Sequence, residues 1–332
     1  MSAPPAAPAG RPPGAVDLRL RLPFRPPLDL PALLRFLARR AVPGVESVAP
    51  GVYRRSLDLP HGAGAVALAA PRPTGTGPPP DGSGGYVDCR LLLQDERDAA
   101  PAVQRCRRLL DLDADPLPVA AHLVGDPDLA PLVLRSPGRR VPGHVDGAEL
   151  ALRAVLGQQV TVAGGRALAA RLVALHGRPL GPLAGALPGV THLFPRAGAV
   201  AEAGLEALPV PRARRAALRA LARALAGGGL RLDPAADRVA VARALLALPG
   251  IGPWTVAYIA MRALGDGDAF LPADAALRRA AAGRGWASDP RRLSDRAERW
   301  RPWRAYATQH LWASLGESGD EQTSPGRSAA GG

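Results

Sequence analysis

LPGIGPWTVAYIAMRALGDGDAFLPAD, residues 248–274, reads as a tight turn, an aromatic-studded helix and a loop that ends on a lone carboxylate. The segment before it, ADRVAVARALLAL, has helical periodicity, so the whole predicts helix, turn, helix. Pro249 stops the first helix, and Gly250 and Gly252 allow positive φ. Pro253 suits the first turn of the next helix, where its missing N–H costs nothing. Leu248, Pro249, Gly250, Ile251 and Gly252 then present backbone amides at a helix start with no side chain to screen them. Such a turn can hold a phosphate backbone without reading its sequence. An ordinary pair of packed helices uses the same Gly and Pro, so the turn alone leaves both readings open.

Aromatic residues shift the balance. Eight of the chain's Phe, Tyr and Trp lie between 254 and 312, including all five Trp. Trp254, Ala257, Tyr258 and Met261 share one helical face, a pattern common in cores. In WRAYATQHLWASL, residues 303–315, Trp312 falls roughly opposite Trp303, beside Ala305, Thr308 and Gln309. A Trp on so small and polar a face fits a pocket lining better than a core. His310 shares the stripe of Trp303 and Tyr306 and reads as a core residue. Asp274 follows Leu271-Pro272-Ala273, and two roles fit it. One is a helix N-cap, worth about 1 kcal/mol. The other is a carboxylate at the rim of an aromatic pocket, stabilising a cation that develops on a sugar or deprotonating a water. Asp266 and Asp268 are too few for a metal site and read as solvated loop residues.

Composition narrows the chemistry. With 332 residues, 47% of them hydrophobic, the chain can bury a sizeable core. No apolar run approaches a membrane-spanning length, and the Pro/Ala-rich start lacks a signal-peptide centre, which predicts a cytoplasmic protein with no membrane partner. The net charge is +13, and all 42 basic residues are Arg against 29 acidic ones. Such a surplus favours a polyanionic partner, nucleic acid first. Without Lys there is neither a Walker A phosphate loop nor a side-chain Schiff base. Cys89 and Cys106 cannot supply four thiolates, so an iron–sulfur cluster is excluded.

Organisation follows from patterning. Residues 1–15 are low-complexity and read as disordered. Over 16–118, alternating VDLRLRL, YRRSLDL, GAVALAA and YVDCRLLL mix with helical PALLRFLARRAV and APAVQRCRRLLDL. This predicts a half-buried antiparallel sheet with helices on one side. Residues 71–85 form a Gly/Pro/Ser loop, read as mobile. Residues 119–316 are almost wholly helical in pattern, and Asp146 with Glu149 resembles a capping box ahead of ELALRAVL and GQQVT. The tail, 317–332, reads as disordered. The fold class is α+β.

These residues resemble the helix–hairpin–helix DNA glycosylases, and among them the bacterial 3-methyladenine glycosylase II type. Beyond LPGIGPWT and FLPAD, the likeness extends to FLARRAVPGVESV (36–48), RVPGHVDGAELALRAVLGQQVTV (140–162) and RWRPWRAYATQHLW (299–312), in the same order. It covers about Val16 to Leu315. It implies a first domain like half of a TATA-binding protein and an all-α domain carrying the cleft. It implies a monofunctional hydrolase of base excision repair, a monomer on duplex DNA at the bacterial nucleoid. That enzyme flips alkylated purines such as 3-methyladenine and 7-methylguanine and hydrolyses the N-glycosidic bond, leaving an abasic site.

Carried over position by position, Asp274 matches the catalytic Asp, and Phe36, Trp254, Tyr258 and Trp312 match the pocket. Residues 248–252 match the backbone-binding hairpin, and Gln158 and Gln159 the intercalating loop. Gln159 stands where the family has an apolar wedge. A Na+ or K+ ion would sit on the carbonyls of Leu246, Leu248 and Gly250, with no other cofactor. Bifunctional relatives carry Lys at the position of Trp254, so a Lys-dependent strand cleavage is excluded. Ala275 and Ala313 replace family aromatics and imply a roomier pocket. Two other readings stand beside this one: the same fold acting on hypoxanthine, uracil or an oxidised purine, and a DNA-binding module that uses the hairpin for phosphates alone.

Overall fold

The computed structural model describes residues 14–71 and 85–317. The expectations for 1–15, 71–85 and 317–332 fall almost wholly outside the described residues. The first half is a five-stranded antiparallel sheet: β1 (Val16–Pro23), β2 (Glu46–Ala49), β3 (Val52–Asp58), β4 (Ala63–Ala69) and β5 (Tyr86–Leu93). The order β1-β5-β4-β3-β2 places the first strand against the last, with Val16 opposite Leu93 and Pro23 opposite Tyr86. Helix α1 (Leu30–Arg40) links β1 to β2, and α2 (Ala99–Leu109) follows β5. Asp29 caps α1 by accepting from Ala32 N at 3.0 Å. Alternation puts Leu57, Val66, Leu68, Val87, Cys89 and Leu91 against Leu33, Phe36 and Leu37 of α1 and Cys106 and Leu109 of α2.

Two features depart from the sequence reading. The sheet's other face is also covered: Ala63, Ala65 and Leu92 pack against Leu180, Leu183, Leu187, Val190 and Leu193. The small Ala side chains let that segment lie close. It is held by a two-stranded pair, β6 (Arg178–Pro179) and β7 (His192–Leu193), inside a stretch that reads as helical. Strand β2 is also absent from the alternation, because ESVA is only four residues long.

The second half contains α3 (Pro116–Leu123), α4 (Ala130–Arg135), α5 (Gly147–Leu156), α6 (Val162–His176), α7 (Ala197–Glu202), α8 (Arg212–Ala226), α9 (Arg238–Leu246), α10 (Pro253–Arg262), α11 (Ala275–Ala282), α12 (Pro290–Ala297) and α13 (Arg304–Glu317). One core joins α5, α6, α8, α9 and α10 and takes in Val42 and Val45 from the sheet half. Another joins α3, α4 and α10 to α13 around Trp300.

The capping box forms only by half. Asp146 accepts from Glu149 N at 2.9 Å, but the Glu149 carboxylate turns inward, to Arg55 at 2.6 Å and Arg153 at 2.8 Å. There it joins Glu46 in a buried four-charge ring at the seam between the halves. Burial works against ionised Glu46, yet Arg153 and Arg55 outweigh it and hold its carboxyl below the usual range. Arg153 also donates to the Arg40 carbonyl at 2.5 Å, fixing the end of α1.

Candidate functional site

The turn between α9 and α10 is built around Gly250. Its φ is +75°, and a Cβ there would stand 2.8 Å from the Ala217 Cβ of α8, so conformation and space both require glycine. Gly252 differs from the expectation of a positive φ. It is the N-cap of α10 at φ −102°, and a Cβ there would meet nothing within 4 Å. Among the described residues nothing therefore demands glycine at 252; its effect is to leave the helix start bare for close approach from outside.

One turn on, Trp254 and Tyr258 stack with ring centroids 5.3 Å apart and planes 8° from parallel. Phe36, delivered by α1, shares the Arg262 guanidinium with Tyr258. The Arg40 guanidinium sits 3.7 Å from the Phe36 ring centroid and that of Arg262 sits 4.9 Å away. Arg262 also donates to the Tyr258 hydroxyl at 2.8 Å, to the Gly143 carbonyl at 3.0 Å and to the Pro142 carbonyl. Burial opposes ionisation of the Tyr258 phenol, but Arg262 and Arg40 prevail and lower its pKa. Burial brings the Arg40 pKa down to about 10. Sequence reading missed both arginines. The available signal was spacing, since each lies four residues after its aromatic, on the same helical face.

Asp274 takes the cap role and also lies against two of the aromatic side chains. It is the N-cap of α11, with Oδ1 accepting from Leu277 N at 2.8 Å. The same oxygen accepts from Trp312 Nε1 at 2.9 Å, and Oδ2 accepts from Trp254 Nε1 at 3.0 Å. Oδ2 keeps one lone pair for a reacting group. The structure thus brings Asp274, Trp254, Tyr258 and Trp312 together, with Phe36 linked to Tyr258 through Arg262.

The reason the sequence suggested for Trp312 is not the one the structure gives. Ala305, Thr308 and Gln309 are all buried, so α13 is covered on that face too. Trp312 sits half-buried between two cores. His310 is buried, as its stripe suggests. Asp266 and Asp268 are not free loop residues: Asp268 pairs with Arg301 and Arg304, and Asp266 with Arg238.

The two glutamines between α5 and α6 separate. Gln159 is exposed, with φ +54°, a left-handed conformation costing a non-glycine residue roughly 1–2 kcal/mol. Gln158 instead turns back to the hairpin, donating through Nε2 to the Gly250 carbonyl and Thr255 Oγ1, both at 3.0 Å. Gln158 is thus tied to the hairpin, whereas Gln159 faces outward.

Among the described residues no three His, Cys, Asp or Glu side chains gather as a metal site. The hairpin carbonyls are a different donor set. Leu248 O accepts from Ile251 N at 3.2 Å and Gly250 O from Gln158. Each carbonyl oxygen retains a second lone pair. Among the described residues no helix is long and apolar enough to cross a membrane.

The 3-methyladenine DNA-glycosylase from Archaeoglobus fulgidus has the same fold, with a TM-score of 0.73 at 20% identity over 90% of this chain and 98% of that one. Residues 19–146 match the AlkA N-terminal domain family. DNA-3-methyladenine glycosylase 2 of Escherichia coli is 35% identical over 301 residues, covering 90% of this chain and 98% of that protein. The chain therefore belongs to the AlkA family of DNA-3-methyladenine glycosylases. A Mycobacterium tuberculosis relative, a probable bifunctional transcriptional activator/DNA repair enzyme AlkA, is 48% identical over 91% of this chain. This chain spans 58% of that relative's length.

Proposed function

We propose that this protein is a monofunctional DNA glycosylase of base excision repair, releasing alkylated purines such as 3-methyladenine and 7-methylguanine from duplex DNA. The observation that carries the reading is Asp274, fixed by a backbone N–H and two indole N–H groups beside the Trp254–Tyr258 stack. An electron-poor alkylated purine stacks on those rings and leaves with little protonation. As the N-glycosidic bond lengthens, positive charge grows on the sugar, and the Asp274 carboxylate faces it. At about 4 Å and an effective dielectric near 20, one unit charge is worth about 4 kcal/mol, or roughly three decades in rate. Water completes the hydrolysis.

Absence of lyase chemistry rests on the lack of any Lys in the chain. The hairpin, residues 248–252, holds backbone phosphates, the carbonyls of Leu246, Leu248 and Gly250 would hold a Na+ or K+ ion that would add positive charge there, and Gln159 enters the vacated stack. The two structural units, read from the sequence as 16–118 and 119–316, divide ahead of α3 (Pro116–Leu123), since 118/119 lies inside that helix. The protein works as a monomer in the cytoplasm, on nucleoid DNA, without an iron–sulfur cluster.

The test is base release from methylated duplex DNA, comparing the intact protein with Asp274→Asn and assaying strand breaks before and after alkali. Release by the intact protein alone, with breaks only after alkali, supports the reading. Breaks without alkali overturn the monofunctional assignment, and no release from any alkylated duplex overturns the substrate.

A further inference from the structure

We propose that Gln158 is a latch that joins the hairpin to the exposed turn at Gln159, so that a phosphate held by one fixes the position of the other. This rests on the glycosylase reading above. The amide's orientation is set by chemistry: a carbonyl only accepts, so the group facing Gly250 O is Nε2, and it also reaches Thr255 Oγ1. Thr255 is buried in the first turn of α10, so the amide is anchored to rigid structure. The bonded residues lie 92 and 97 positions apart in the chain, which makes this a tertiary tie.

Immediately after the latch, Gln159 holds its left-handed backbone at the surface. Such a conformation persists in a non-glycine residue only where its surroundings impose it. Here both flanks are pinned. Gln158 is bonded to the hairpin, and Thr161 Oγ1 caps α6 by accepting from Gly164 N at 3.0 Å. Residue 159 stands at the apex between them. Extruding a nucleotide leaves a gap at a fixed offset from its own phosphates, and a filling group must arrive in register with them. The latch supplies that register. Gln158 is thus a positioning residue, acting through Gln159 and the hairpin without touching the reacting atoms.

The experiment measures single-turnover base release from two duplexes, one with 7-methylguanine opposite cytosine and one with it opposite a tetrahydrofuran abasic analogue. The second requires no base pair to be broken. Gln158→Leu keeps the length of the side chain but cannot donate. Release from the paired duplex is expected to fall about tenfold, the usual effect of losing two neutral hydrogen bonds. Release from the unpaired duplex should stay within about twofold. Gln159→Ala should also slow release from the paired duplex, and there the double variant should be no slower than the slower single one. Thr255→Val removes one acceptor while keeping shape, and should give a smaller loss of the same kind, which covers misfolding of the leucine variant. Unchanged release from the paired duplex, equal losses on both duplexes, or additive losses in the double variant would each overturn the latch. If the intact protein releases no 7-methylguanine from either duplex, the alkylpurine reading fails and takes the latch with it. A failed latch alone leaves intact-protein release untouched.

Discussion

Replacing Asp274 by Asn changes one atom and one charge, and the structure separates their effects. The cap survives, because Asn is as good an N-cap as Asp and its Oδ1 can still accept from Leu277 N and Trp312 Nε1. The new amide then faces Trp254 Nε1 across 3.0 Å, two donors with no acceptor between them. One unmatched, half-buried donor costs about 1–2 kcal/mol, a modest fall in stability. The rate effect is larger. With the unit charge gone, about 4 kcal/mol of transition-state stabilisation disappears, near a thousandfold. The assay is single-turnover release of 7-methylguanine, read beside thermal melting. A folded Asp274→Asn protein within tenfold of the intact rate would refute the electrostatic role given to this carboxylate.

Trp312→Phe keeps the ring's bulk but removes one N–H from Asp274 Oδ1, and should slow base release about fivefold to tenfold with little change in melting. Asp111 accepts at Oδ2 from both Tyr306 OH (2.9 Å) and Val141 N (3.1 Å), yet burial, the larger influence, raises its pKa to about 6. The native state therefore binds more protons than the unfolded chain between about pH 4 and 6, and this group's contribution to stability falls as pH rises through that window. Asp111→Asn, which suits the site's φ of +52°, should stabilise the protein by about 1–2 kcal/mol at pH 7.5 and hardly at all at pH 4, measured by denaturant unfolding. Arg55→Met leaves Glu46 and Glu149 sharing Arg153 in a buried seam and should cost about 3–5 kcal/mol by the same measurement.

The site is legible in the sequence where its residues are close in the chain. The hairpin, Trp254, Tyr258 and Asp274 fall within 27 consecutive residues, and Gly, Pro and aromatic spacing carry their meaning locally. Trp312 was found through helical periodicity, but for a face that proves to be buried. The tertiary ties were not legible. Gln158 looks like one half of a polar pair until its partner, 92 residues away, is in view. Glu149 looks like a capping residue because local spacing cannot reveal Arg55, 94 positions distant. In the fold, the main strands and helices follow from period-2 and period-3.6 patterning. The covering of the sheet's second face by residues 178–193 does not, since a two-residue strand has no period.

Under the proposed function, one side chain serves as both cap and reacting carboxylate. A cap must hold a fixed geometry in the folded state whatever is bound, so Asp274 is positioned before DNA arrives. Preorganisation of this kind avoids reorienting a charge during the reaction, which is where electrostatic stabilisation is most effective. The three N–H donors come from three separate elements, α10, α11 and α13, so the carboxylate can shift only if those helices shift. They also crowd it: a water seeking a base would share Oδ2 with Trp254, whereas a sugar cation needs only to face the oxygen. The geometry therefore favours charge stabilisation over proton abstraction. On that view a glutamate at 274, which keeps the charge but lengthens the reach and loses the cap, should be worse for stability than asparagine and better than it for rate.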